Sequence, residues 1–178
     1  MADPYFDLLA RYNAWANERL YDACARLADA EYRAPRPSFF GSIHATLNHI
    51  LVGDRLWMSR IEGPPLAYAL NQILYEDFAA LRAARRAQDG EFIRLVESLP
   101  AERLDEPLDY ANTKGVQFKT RLRLVLGHIV NHQTHHRGQI HDMLSQTALP
   151  PPELDLIFFV RQGGQAGMSE RRPVLGET

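Results

Sequence analysis

Thiol chemistry is nearly absent from this chain: Cys24 is its one cysteine, so no internal disulfide can form, which fits a reducing cytoplasm. An excess of charge is absent too. Lysine and arginine number 20 against 22 acids, a formal net charge of −2, whereas domains that grip phosphate backbones are usually basic. Nucleic acid is therefore not an expected partner. No apolar run approaches the roughly 18 residues that cross a bilayer. The opening MADPYFDLLARYN has no basic segment followed by an apolar core, so neither a membrane span nor a secretory signal is expected. A glycine-rich phosphate loop is missing, and so is any alternation long enough to build a sheet. What is there is globular: 46% hydrophobic and 24% charged in 178 residues, the size of one domain. The unusual feature is histidine. There are seven, two near residues 44–49 and five between 128 and 141.

Four stretches carry helical periodicity. The first is expected from Pro4 to about Asp29, with Asp3 as N-cap and proline at the first helical position. The segment PRPSFFGS (35–42) breaks the pattern, and Ser42 can cap a second helix that reaches Ile61 and stops at Gly63-Pro64-Pro65. A third, more charged helix is expected over Asn71 to Leu99, with an interruption possible at Gly90. Pro107 to Lys119 reads as irregular chain or a short hairpin turning at Asn112 to Gly115. The fourth helix runs from Thr120 to Gln146, ahead of Pro150-Pro151-Pro152. Leu154 to Val160 is a short apolar piece that packs back. The expectation is an all-α, four-helix bundle over residues 1–162, followed by a mobile tail over 163–178.

At about 100° per residue the helix faces can be worked out. The apolar stripe of the fourth helix is Leu122, Val125, Leu126, Ile129, Ile140, Met143 and Leu144. One turn in its middle lacks hydrophobes, and His132 and His136 are assigned to that gap, with His128 and His135 on the flank and His141 on the far side. Burying an imidazole without a partner costs about 1–3 kcal/mol, and a divalent metal would compensate. Spacing i, i+4 lets two rings reach one ion. The second helix offers a third ring. His49 lies beside Ala45, Thr46 and Gly53, small enough to leave room for it, whereas His44 is placed on a polar arc with Asn48, Arg55 and Ser59. Gln133 stands where zinc proteases carry their catalytic glutamate, which excludes that reading. Taken alone, the trio fits hydrogen-bonded core histidines as well as a metal site. Cys24 reads as core, Asp54 as a buried partner for an arginine, a tyrosine or the backbone, and Arg82, Arg85 and Arg86 as a solvated face with neighbouring acids.

Four segments carry a family resemblance: YNAWANERLYDA (12–23), GSIHATLNHILVGDRLWMSRI (41–61), LVLGHIVNHQTHHRGQI (124–140) and PPELDLIFFVR (151–161). Together they resemble the DinB family, within the DinB/YfiT-like group, and HxxxHRGQ is the most specific part. The resemblance implies a four-helix bundle that commonly dimerises. It also implies a divalent metal held by one histidine of the second helix and two from the last, which here fall on His49, His132 and His136. It implies no reaction. Relatives in the wider group include transferases and isomerases that use bacillithiol or mycothiol, and many members of the family have no assigned activity.

Two functional readings follow. Three neutral histidines leave open positions on an ion, as in catalytic sites, which suits a metal-dependent small-thiol transferase or small-molecule hydrolase. Asn131, His128, His135 and Gln139 then stand as supporting groups. The other reading is a non-enzymatic stress-response protein with a structural metal. Three imidazoles suit zinc, nickel or iron alike. The expected partners are a small-molecule substrate, a low-molecular-weight thiol among the candidates, and a second copy of the chain. The second helix is apolar on two sides (Ala45, Val52 and Leu56 form the minor one), which suits either burial within one chain or a homodimer.

Overall fold

Each long helix but the last begins at a side chain that accepts its first free N–H groups, at Asp3 and Ser42 as the sequence led one to expect and at Asp77 where it did not. The computed structural model describes residues 3–163. Helix α1 (Pro4–Cys24) starts at Asp3, whose Oδ1 accepts from Tyr5 and Phe6. Helix α3 (Ile43–Glu62) starts at Ser42, whose Oγ accepts from the Ala45 N–H at 3.1 Å. Helix α4 (Phe78–Ser98) starts at Asp77, which accepts from Ala80. Such caps contribute about 1 kcal/mol each. Helix α5 (Leu122–Ser145) grows directly out of a hairpin, β1 (Pro107–Ala111) against β2 (Gln117–Arg121), paired Pro107↔Arg121 to Ala111↔Gln117. Asn112 closes the hairpin turn, its Oδ1 accepting from Lys114 and Val116, with Gly115 at positive φ.

Two boundaries differ from expectation. The first helix ends at Cys24 rather than Asp29. A turn follows, and a separate short helix α2 (Asp29–Arg33) swings the Tyr32 ring back into the core beside Leu20 and Cys24. The third long helix begins at Phe78, seven residues late, because residues 70–77 are strapped across α3. The Asn48 Oδ1 accepts from Leu74 and Tyr75, and its Nδ2 donates to the Tyr75 carbonyl. That helix passes Gly90 unbroken. After α5, a short helix α6 (Leu156–Arg161) packs Phe159 against Tyr12 and Trp15. The tail expected from Gly163 lies, Gly163 apart, outside the described residues.

The fold is the all-α four-helix bundle. Helix α1 packs on α4 and α5, and α3 packs on α5 and α4, so α1 faces α3 across the core. Among the described residues no helix is long and apolar enough to cross a membrane. On the minor apolar side of α3, Val52 and Leu56 are buried inside this one chain and Ala45 is half-buried.

The core has two apolar ends. One gathers Leu20, Ile43, Leu47, Leu51, Leu81, Ile140 and Leu144; the other gathers Leu9, Phe92, Leu95, Leu108, Leu122, Leu126 and Ile129. Between them, at one level of the bundle, lies a layer that is buried and polar: Asn17 of α1, Asp54 of α3, Arg85 and Asp89 of α4, Gln133 and Arg137 of α5. The Asp54 Oδ2 accepts from Arg85 at 2.5 Å and from Gln133 at 2.8 Å. Asn17 donates to Asp89 and Gln133, and Arg137 donates to Asn17 and Gln133. Arg85 also pairs with Asp89 at 2.9 Å. This corrects two expectations. Arg85 is not on a solvated face, although Arg82 and Arg86 are, both paired with Glu18. In the hydrophobe-free turn of α5, Gln133 and Arg137 take the most buried positions, while His132 and His136 sit beside them, where α5 packs on α3.

Candidate metal centre

The three histidines singled out from the sequence meet at one point. The His49 Nε2 lies 3.1 Å from the His132 Nε2 and 3.2 Å from the His136 Nε2, and the three candidate ligand atoms are all within 4.8 Å of one another. Helix periodicity does part of this, since four residues bring His132 and His136 onto neighbouring turns. The packing of α3 on α5 does the rest.

Local contacts fix which nitrogen faces the centre. The His49 Nδ1–H donates to the Leu70 carbonyl at 2.7 Å, which leaves the Nε2 lone pair pointing at the cluster. The His136 Nδ1–H donates to the Gln139 Oε1 at 2.8 Å with the same result. Gln139 in turn donates from its Nε2 to the exposed His135. The His132 ring lies against Gly53: a Cβ built there would come within 2.8 Å of the His132 Cε1. Glycine at this position makes room for the ring. Phe40 stacks on His49 with centroids 3.8 Å apart and touches His136 edge-on. His128, exposed, packs its ring between His132 and Trp57.

Burial holds these imidazoles in the neutral state. It pushes His132 down to about 3 and His136 to about 4, and the mutual repulsion of any protons they carried adds to the effect. His49 is lowered by burial as well. Neutral rings with their Nε2 atoms converging present lone pairs to lone pairs. A proton on the His132 Nε2 could satisfy one neighbour only, and the buried His132 Nδ1 has no partner among the described residues. A cation satisfies all three. Metal–nitrogen bonds of ~2.0–2.1 Å at bond angles between octahedral and tetrahedral put ligand nitrogens ~2.9–3.4 Å apart, which brackets the separations of His49 from the other two. The donor set fits a divalent metal ion.

Of the supporting groups expected from sequence, Gln139 bonds His136, and His128 and His135 pack on ligand rings. Asn131 is exposed and hydrogen-bonds to none of the three. His44 is not on a polar arc but buried, its Nδ1 3.0 Å from the Tyr32 hydroxyl and its Nε2 3.4 Å from a Glu76 carboxylate oxygen. The chain covers that arc with α2 and residues 70–77. Cys24 is buried in the core, as expected, and that burial pushes its thiol up to about 12. Phe40, the Leu70 carbonyl and the strap at Asn48 were not anticipated. The first two act from segments outside the long helices, where the sequence carries no periodic signal.

A four-helix bundle with a buried tri-histidine cluster at one helix contact defines a recognisable class of helical protein. The DinB family model matches residues 1–168, and the chain belongs to the DinB family. It is 32% identical over 175 residues to Protein DinB of Bacillus subtilis (strain 168), covering 93% of this chain and all of that protein. Its fold is similar to the crystal structure of a DinB-like protein from Bacillus subtilis, with a TM-score of 0.54 and 16% identity. That match covers 80% of this chain and 95% of the other.

Proposed function

We propose that this chain binds one divalent metal ion at His49, His132 and His136, and that the site is catalytic, serving a small-thiol transferase or a small-molecule hydrolase. The observation that carries the reading is the convergence of three neutral Nε2 lone pairs, two of them aimed by hydrogen bonds to Leu70 and Gln139. Zinc, nickel and iron all suit such a donor set. A divalent ion with open positions supplies Lewis acidity, making a water or a thiol nucleophilic near neutral pH. The protein's own groups do the rest. Leu70 and Gln139 hold the protons on Nδ1, so that the ring nitrogens facing the ion stay basic. Phe40 covers the outer face of His49 and keeps water from it.

A catalytic reading is favoured over a structural metal because the helices the ion would bridge are already held. Helices α3 and α5 pack directly, and the Asp54–Gln133 hydrogen bond joins them one turn away. Elemental analysis of protein purified without chelator or nickel affinity resin tests the site. The expected result is about one divalent ion per chain, lost in His132→Ala. The metal-stripped protein should stay folded, and an added thiol should occupy the open position. A collapse of the thermal midpoint on stripping, with no turnover of any thiol–electrophile pair or ester, would give the structural reading instead. The same proposal includes a homodimer; a 20 kDa species by light scattering at micromolar concentration would contradict it.

A further inference from the structure

A second cleft lies beyond His128, and the site described so far makes no use of it. Between residues 63–69 and β1 is a cavity of about 450 Å³, in the size range of small-molecule sites. Arg60, near the end of α3, lines it. Its guanidinium lies over the Trp57 ring at 4.5 Å and the Tyr110 ring at 5.6 Å, and it makes no ion pair or hydrogen bond with any described residue. Asp109, on the same cleft, is paired with Lys119 at 3.5 Å. A guanidinium stacked on aromatic rings keeps its in-plane N–H donors available, and their fork matches a carboxylate. Arg60 is half-buried with no counter-ion, so an arriving anion regains what desolvation costs it.

Both walls of the cleft run to the histidines. One, residues 63–70, ends at the Leu70 carbonyl that holds His49. The other runs through ring contacts: Tyr110 on Trp57 at 5.0 Å, Trp57 on His128 at 5.0 Å, His128 on His132 at 5.6 Å.

We propose that this cleft binds the carboxylate of a small organic acid, with Arg60 as its anchor, and that the substrate of the metal site is a molecule carrying that group. The second half rests on the metal-site reading; the anion site itself rests on Arg60 and the cleft. A carboxylate is favoured over a phosphate because one cation faces it, Asp109 opposes a second negative charge, and no glycine-rich loop adds N–H donors.

Hexanoate is the probe and hexanamide its neutral counterpart, titrated into Trp15→Phe protein so that emission reports Trp57 alone. Hexanoate should give a saturable change at least about tenfold tighter than hexanamide. Arg60→Gln should abolish that preference, and Arg60→Lys should keep part of it, with the thermal midpoint and the metal content of both unchanged. Equal binding of the two probes, no saturable change, or a preference that survives Arg60→Gln would overturn the anchor. Inorganic phosphate binding more tightly than hexanoate would overturn the carboxylate class. Running the titration on metal-stripped and on zinc-loaded protein separates the two proposals. A hexanoate preference in a protein that takes up no zinc sinks the metal site alone, and stoichiometric zinc without the preference sinks the anion site alone.

Discussion

Two groups of polar side chains interrupt the apolar interior at the same level of the bundle, and they solve the problem of burial in opposite ways. The layer through Asn17, Asp54, Arg85, Asp89, Gln133 and Arg137 is balanced within itself: two carboxylates, two guanidiniums, and amides whose oxygens and nitrogens link all four long helices. The histidine cluster, one residue along α5, carries no charge of its own and leaves three acceptors facing one another. The first arrangement balances its own charge, although the Asp54 Oδ1 and the Arg85 Nε have no hydrogen-bond partner among the described residues. The second is complete only when something positive arrives. Polarity in a core therefore says nothing about function until its donors and acceptors have been counted.

The strongest way to break this comparison is to open the closed set. Asp54→Ala leaves Arg85 buried with half its partners and frees a Gln133 donor, and the expected loss is about 3–5 kcal/mol in denaturant unfolding of the metal-stripped protein. Adding Arg85→Met should restore part of it, so that the double variant is less damaged than the sum of the two singles. A loss below about 1 kcal/mol for Asp54→Ala would show that the layer is not a coupled unit.

A smaller effect, of opposite sign in the two readouts, comes from Gly53→Ala. Its backbone is helical, so alanine should stabilise the metal-stripped protein by up to about 1 kcal/mol. The new Cβ would meet the His132 ring at 2.8 Å and must push it aside, weakening metal affinity by about 10–100-fold. Unfolding curves and competition with a chromophoric chelator measure the two. Unchanged affinity would mean that His132 is free to move and is not held in place for a ligand.

Much of this could be read from the chain, for identifiable reasons. Asp3, Ser42 and the 100° stripe of α5 act over a few residues, so the helices and the pair His132 and His136 were visible in local spacing. His49 was found because its neighbours Ala45 and Gly53 are small. Of the polar layer only Asp54 was legible, as a buried partner for an arginine, a tyrosine or the backbone; the other members were missed although each lies on a predicted helix. Gln133 and Arg137 sit next to two histidines that drew attention, and Arg85 sits between two arginines that are solvated. Pairings such as Asn17 with Asp89 across 72 positions leave no periodic trace. The same holds for the strap over 70–77. Most of it falls within the stretch expected to be helical from Asn71, and it is held off that conformation by Asn48, which accepts from Leu74 and Tyr75, and by Arg33, which donates to the Glu76 carbonyl.

Acid should separate the two regions by sign, and this is the smallest of the expected effects. His132 and His136 have folded pKa values near 3 and 4, below the ordinary 6.5, because burial disfavours their charged form. Between pH 6.5 and 4 the unfolded chain takes up protons at these positions and the folded chain does not, so their contribution to stability is present above 6.5 and is lost as pH falls. Asp54 behaves in reverse. Burial raises it to about 6 against an ordinary 3.8, so over the same window the folded state takes up the proton first and acidification is favourable. The two terms oppose each other in the native chain and flatten its profile. Removing one should expose the other. In the metal-stripped His132→Ala/His136→Ala protein, the change in unfolding free energy from pH 6.5 to 4 should be more favourable than in the parent by on the order of 1 kcal/mol, a figure that allows for partial solvent access to both rings. In Asp54→Asn the change should be less favourable than in the parent. Parallel profiles for all three proteins would mean that the imidazoles titrate as they do in water, and that the cluster is too open to hold them neutral.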